Sequence, residues 1–130
     1  MEYNALSSKI IAAAIEVHRE LGPGLLESIY ERCLVQELID RGLTVEQQVA
    51  VPVHYKGKSL GTMMRLDLRV NNLIIVEVKA VEAFSDAHIA QLLTYLKLTD
   101  CRLGLLINFN EALLKQGIRR VANGDLTFTP

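Results

Sequence analysis

The 130-residue sequence is short of several things, and each shortage closes off a class of protein. It has two cysteines, Cys33 and Cys101, with no C-x-x-C and no Cys/His grouping at zinc spacing. A disulfide scaffold and a structural zinc site are therefore excluded, and two reduced cysteines in a cytoplasmic protein are expected. Charge of one sign is also missing. The 14 basic and 15 acidic residues leave a net charge of −1, which argues against a protein that coats nucleic acid through bulk charge. Long apolar runs are absent. The stretch from Ile10 to Val17 is short and carries Glu16, so neither a secretory signal nor a membrane span is expected. No repeat or low-complexity tract interrupts the chain, and 50% of it is hydrophobic. One domain over residues 1–130, with a true core, is expected.

Periodicity predicts the elements. Residues Asn4 to Leu21 read as a helix with an apolar stripe of Ile10, Ile11, Ala14, Ile15, His18 and Leu21. Gly22-Pro23-Gly24 stops it. This glycine pair lacks P-loop spacing and follows a helix rather than a strand, so it is no phosphate loop. A second helix runs from about Leu26 to Arg41 and ends at Gly42, with Ile29, Leu34, Leu38 and Ile39 as core candidates. Glu27 in its first turn shares a face with Tyr30. On spacing alone, Glu27 is either an acid favoured by the helix dipole or a site residue.

Thr44 to Tyr55 reads as a strand placed at an edge or bulged, because it contains Pro52. Lys56-Gly57-Lys58 turns the chain into a second strand, Ser59 to Val70. After Asn71-Asn72 a third strand, Leu73 to Val81, is apolar enough to be covered on both faces. Ser85 caps a helix from Asp86 to about Thr99, with Ile89, Leu92, Leu93 and Leu96 on its core stripe and His88, Gln91 and Tyr95 beside it. Arg102 to Phe109 is a fourth strand, and Lys115 to Phe128 holds one or two short strands with a turn at Asn123-Gly124. The fold class is α/β, with a mixed (α+β) central four-stranded sheet flanked by helices.

The chemistry lies in Arg65 to Val81. Glu77 and Lys79 are two apart on one strand and share a face. A two-residue turn at Asn71-Asn72 would mix apolar and charged residues on both faces, which a half-buried sheet resists. An odd loop such as Val70 to Asn72 pairs Asp67 with Ile75. It gathers Leu66, Leu68, Ile74, Val76, Val78 and Ala80 on one face and Asp67, Arg69, Glu77 and Lys79 on the other. A three-residue or bulged turn with Asn72 at positive φ is therefore predicted. Two carboxylates side by side repel unless a cation intervenes. Oxygen ligands favour Mg²⁺ or Mn²⁺ over zinc. Ion pairing on a solvated face is the competing reading of the same four residues.

Asp67 followed by Glu77-Val78-Lys79 on consecutive strands resembles the PD-(D/E)XK nuclease superfamily. The text Gly24-Leu25-Leu26-Glu27-Ser28-Ile29-Tyr30 resembles the small bacterial GxxExxY proteins within it, as do the helix H-I-A-Q-L-L-T-Y-L and the strand L-G-L-L-I-N-F. Leu66 stands where the superfamily name has proline. The resemblance implies a restriction-endonuclease-like core. Asp67 and Glu77 would ligate the metal with the Val78 carbonyl, and Glu27 would join them directly or through water. Lys79 would activate the attacking water, and Gln91 and Tyr95 would support the metal and phosphate as in RecB-like members. His18 and His88 are read as packing or hydrogen-bonding residues.

The function implied is phosphodiester hydrolysis in nucleic acid, DNA in preference to RNA, leaving a 5′-phosphate and using Mg²⁺ or Mn²⁺. Lys56, Lys58, Arg65 and Arg69 are candidate phosphate contacts. Two alternatives stand beside it: a catalytically silent module of the same fold that binds nucleic acid or a protein partner, and a structural domain forming a homodimer through an apolar edge.

Overall fold

The helix α1 (Tyr3–Leu21) begins the chain and ends where Gly22, at φ 68°, turns its N–H onto the His18 carbonyl. The computed structural model describes residues 2–126, except the side chains of residues 62 and 63. The buried face of α1 is Tyr3, Leu6, Ser7, Ile10, Ala13, Ala14 and Val17. That face is rotated from the expected stripe: Ile11, Ile15 and His18 are half-buried beside it and Leu21 is exposed. Ala13 joins Ile10 and Ala14 at the centre of the contact, while Ile11 and Ile15 flank it.

Helix α2 (Glu27–Asp40) buries Tyr30, Glu31, Leu34 and Leu38, whereas Ile29 and Ile39 face outward. It closes in a Schellman motif, with Gly42 N–H on the Ile39 carbonyl and Leu43 N–H on that of Leu38. Helix α3 (Asp86–Thr99) has the predicted Ser85 cap, completed by His88 in a reciprocal capping box.

Five strands form the sheet, in the order β1 (Val45–Tyr55), β2 (Lys58–Val70), β3 (Ile74–Lys79), β4 (Leu103–Asn108) and β5 (Ile118–Ala122). The expected four strands are joined by β5, which follows a short 3₁₀ turn at Leu114–Gly117. A further strand towards Phe128 lies outside the described residues. All neighbours are antiparallel except β3 and β4, which α3 connects in parallel. Edge strand β1 carries Pro52 beside a register shift, as its proline predicts.

Helices α1 and α2 cover one face, over Leu68, Val70, Ile74, Val76, Val78, Leu103, Leu105 and Ile107. Helix α3 covers the other, over Leu66, Ile75 and Leu106. It sits close because Gly104 has no side chain; a Cβ there would lie 2.8 Å from a Leu92 methyl. Each fully buried Leu or Ile of these layers contributes about 1.5–3 kcal/mol of transfer free energy, so both layers hold the sheet rigid.

The turn between β2 and β3 has the predicted odd length. Asn71 and Asn72 are both at positive φ, and Leu73 N–H bonds the Val70 carbonyl. These are the marks of a type I′ turn, rather than type I, with Leu73 as the extra residue. Val70 pairs with Ile74 and Arg69 with Ile75. The segregation of faces follows, but the register is two residues further along than expected, which sets Asp67 opposite Glu77 instead of Ile75.

Two details differ from the sequence expectation. Leu66 and Leu68, two apart, are buried in opposite layers, so the alternation of β2 breaks at Asp67. On β1 the same break separates Val45 from Val49, at Gln48 with φ 51°. The charged face also contains buried Ile75, under α3, so the chemistry is confined to its far end.

Candidate active site

Beyond the Leu68↔Val76 pair the β2–β3 ladder stops. Two carboxylates bridge the strands in its place. Asp67 N–H donates to Glu77 Oε2 at 2.7 Å, and Val78 N–H donates to Asp67 Oδ2 at 2.8 Å. Each acid thus accepts from the backbone of the other acid's strand, and the seam is held by side chains. Val78 turns its N–H to this edge, and a strand residue's carbonyl points the same way as its N–H; the Val78 carbonyl therefore also faces the gap. The site lies towards the C-terminal ends of the parallel pair, the usual place for ligands in sheets of this kind.

Glu77 is 4% exposed. Burial, then the Asp67 charge, push its carboxyl up to about 8, against the Asp67 N–H and the Lys79 ammonium, which favour ionisation. Asp67 is raised as well, by burial first; the Val78 N–H, Lys79 and Gln48 oppose the shift, and the Glu31 charge adds to it. Lys79 therefore acts electrostatically on both acids, as its spacing predicts. The Tyr95 phenol of α3 is also raised, by burial and then by the Glu77 and Asp67 charges, which puts Tyr95 at the same site and keeps it protonated.

Glu27, on α2, accepts from Ala80 N–H at 2.9 Å, just past β3. The α2 acid that faces Asp67 and Glu77 is Glu31, one turn further on and 8% exposed. Its carboxylate accepts from the Gln47 amide at 2.8 Å and the Gln48 amide at 3.0 Å, and Gln48 also reaches Asp67 Oδ1 at 3.4 Å. Spacing does place Glu31 on the face of Glu27, but nothing in the sequence marks Gln48 as left-handed, and that turn aims its amide. Asn108, 1% exposed, clamps the loop after β3 through both Val81 N–H and Val81 carbonyl.

Gln91 is exposed on α3, and His88 serves the α3 cap. The Nε2 of His18 sits 2.8 Å from the Glu111 carbonyl, the hydrogen-bonding role expected of it. Arg69 is held by a two-pronged pair with Glu46, at 2.8 and 2.9 Å, and is taken from the candidate phosphate contacts. Tyr30 is buried, stacks on Phe109 with centroids 4.6 Å apart, donates to the Gly22 carbonyl and accepts from Leu25 N–H. The G-x-x-E-x-x-Y stretch thus fastens the α1–α2 loop and the end of β3 to one another.

A family model of the PD-(D/E)XK nuclease superfamily matches residues 4–121, from α1 through most of β5. The chain belongs to this superfamily. The match contains Asp67, Glu77 and Lys79, and the mixed sheet between helices is the restriction-endonuclease-like fold. Comparison with curated proteins and with solved structures produced no match. PD-(D/E)XK nucleases generally use divalent metals such as Mg²⁺. The residues here fit such an ion. Their buried carboxylates are short of positive charge, as the raised Glu77 records. Among the described residues no three Asp, Glu, His or Cys side chains converge as a ready-made cage; the donors present, two carboxylates and a carbonyl, are oxygens, the donor type that Mg²⁺ takes. No helix of the described residues is long and apolar enough to cross a membrane.

Proposed function

We propose that this chain is a cytoplasmic, single-domain nuclease that hydrolyses phosphodiester bonds in nucleic acid, DNA in preference to RNA, with Mg²⁺ or Mn²⁺. The observation that carries this reading is the seam where Asp67 and Glu77 replace the ladder beside Lys79. Asp67, Glu77 and the Val78 carbonyl would hold the cation, which would supply positive charge to the phosphate and lower the pKa of a water. Lys79 steadies the attacking hydroxide and the charge that builds on the phosphate. Tyr95 donates a hydrogen bond into the site, and Gln91, one turn before it on the exposed side of α3, reaches the phosphate of a bound strand. Glu31 and Gln48 fix the Asp67 carboxylate, and Glu27 holds the end of β3 through Ala80 and would join the cation directly or through water.

The test is incubation with linear, nicked and branched DNA and with RNA in Mg²⁺ or Mn²⁺. Wild-type protein should cleave at least one DNA, with Asp67→Ala and Lys79→Ala about a thousandfold slower or inert. Absence of cleavage by the wild type, or equal cleavage by all three proteins, overturns the proposal.

A further inference from the structure

The β1–β2 hairpin outruns the sheet that carries it. Its strands span 11 and 13 residues and stay paired out to Tyr55↔Lys58, while β3 has 6 and pairs with β2 at Leu68–Val70. Residues 47–66 contain three of the chain's 14 basic residues, Lys56, Lys58 and Arg65, and none of its 15 acidic ones. The tip is a tight turn, with Lys56 and Gly57 at φ 50° and 80°. Beside the lysines, Tyr55 is 61% and Leu60 54% exposed. The Lys56 ammonium lies 5.4 Å from the Tyr55 ring centroid. Lysines alone would guard an edge against pairing. An exposed tyrosine and leucine at the same tip add apolar surface that guarding an edge does not require.

The base of this arm is anchored. Val49, Val51, Met64 and Leu66 pack with Leu92, Tyr95 and Leu96 of α3. The arm therefore leaves the site along the very strand that carries Asp67. From Lys58 to Asp67 is at most about 30 Å, at roughly 3.3 Å per residue.

We propose that the arm grips a nucleic-acid strand with unpaired bases: Lys56 and Lys58 take phosphates, Tyr55 stacks on a base, and Arg65 continues the cationic track to Asp67. This inference rests on the nuclease reading of the site and names its substrate class. A cation beside an exposed aromatic ring at one tip is what single strands require, since every linkage carries a charge and every base a face.

Fluorescence anisotropy of a labelled single-stranded oligonucleotide, without divalent cation, tests it on proteins whose folding is checked by circular dichroism. The Lys56→Ala/Lys58→Ala protein should bind about tenfold more weakly at low salt, with a salt dependence flatter by about 1.4 in logarithmic slope. Tyr55→Ala should bind about five- to tenfold more weakly with the slope unchanged, while Tyr55→Phe binds as wild type. No binding by the wild type, or wild-type binding by all three variants, overturns the arm. Cleavage in Mg²⁺ is followed in parallel. Weakened binding with no cleavage by any protein supports the arm and refutes the catalytic reading; unchanged binding with intact cleavage does the reverse.

Discussion

Strand β3 has two edges, and they are built on opposite principles. Towards β4 it runs six successive parallel pairs, Ile74↔Leu103 to Lys79↔Asn108, with β4 buried throughout. Towards β2 it makes three pairs and then gives way to two carboxylates. The first edge is apolar, regular and stabilising. The second holds acids whose burial opposes their charge, and so it destabilises the fold while it concentrates negative potential at one point. One strand thus separates the regular apolar half of the sheet from the half that carries the acids by the width of its own backbone.

Substitutions at the two edges should therefore fail in different ways. The largest effect is expected at the broken edge: Glu77→Gln keeps the side chain's shape but removes its charge, and nuclease activity should fall about a thousandfold. Its thermal midpoint above pH 8 should stay level or rise, because a buried charge is lost; a marked drop would show the seam to be structural. At the regular edge, Leu105→Ala should cost about 2–5 kcal/mol in urea unfolding while activity per folded molecule is kept.

Next is the pH dependence without divalent cation. Glu77 is near 4.5 when unfolded and about 8 in the fold. Between those values the unfolded chain releases a proton that the folded chain keeps, so stability declines as pH rises and levels off above pH 8. Asp67 is raised too and adds to the decline in the same direction. Chemical unfolding measured across that range should show a loss of a few kcal/mol, flattened by excess Mg²⁺. Stability that climbs with pH would contradict the electrostatics described. The smallest effect belongs to Gly104→Ala, which forces Leu92 aside and should cost about 1–3 kcal/mol by calorimetry, with activity little changed.

How far the chain could be read in advance depends on what each residue's meaning required. The helices, the Ser85 cap and the odd turn follow from local periodicity, and those stand. Parity could segregate Asp67, Glu77 and Lys79 from the apolar face, yet parity is blind to a shift of two. Hence Asp67 lies opposite Glu77 rather than Ile75. The α1 stripe was misjudged at Ala13, which side-chain size left out of the expectation although it is buried beside the expected Ala14. Glu31 was missed because its role depends on Gln48, whose left-handed backbone and long-range contacts no local pattern announces. Gln91 and Tyr95 share one pattern, yet Tyr95 is buried and Gln91 is exposed, a difference that the pattern does not carry.

The brevity of the β2–β3 seam has a last consequence, for how such a molecule can be altered. Three ladder pairs join β2 to β3, while β1 and β2 are paired along almost their whole length. The hairpin thus carries one acid and the proposed grip together, with its base packed into both cores. On the proposed reading, a chimera that exchanges residues 45–70 would change what is held while keeping Glu77, Lys79 and β4 beneath it.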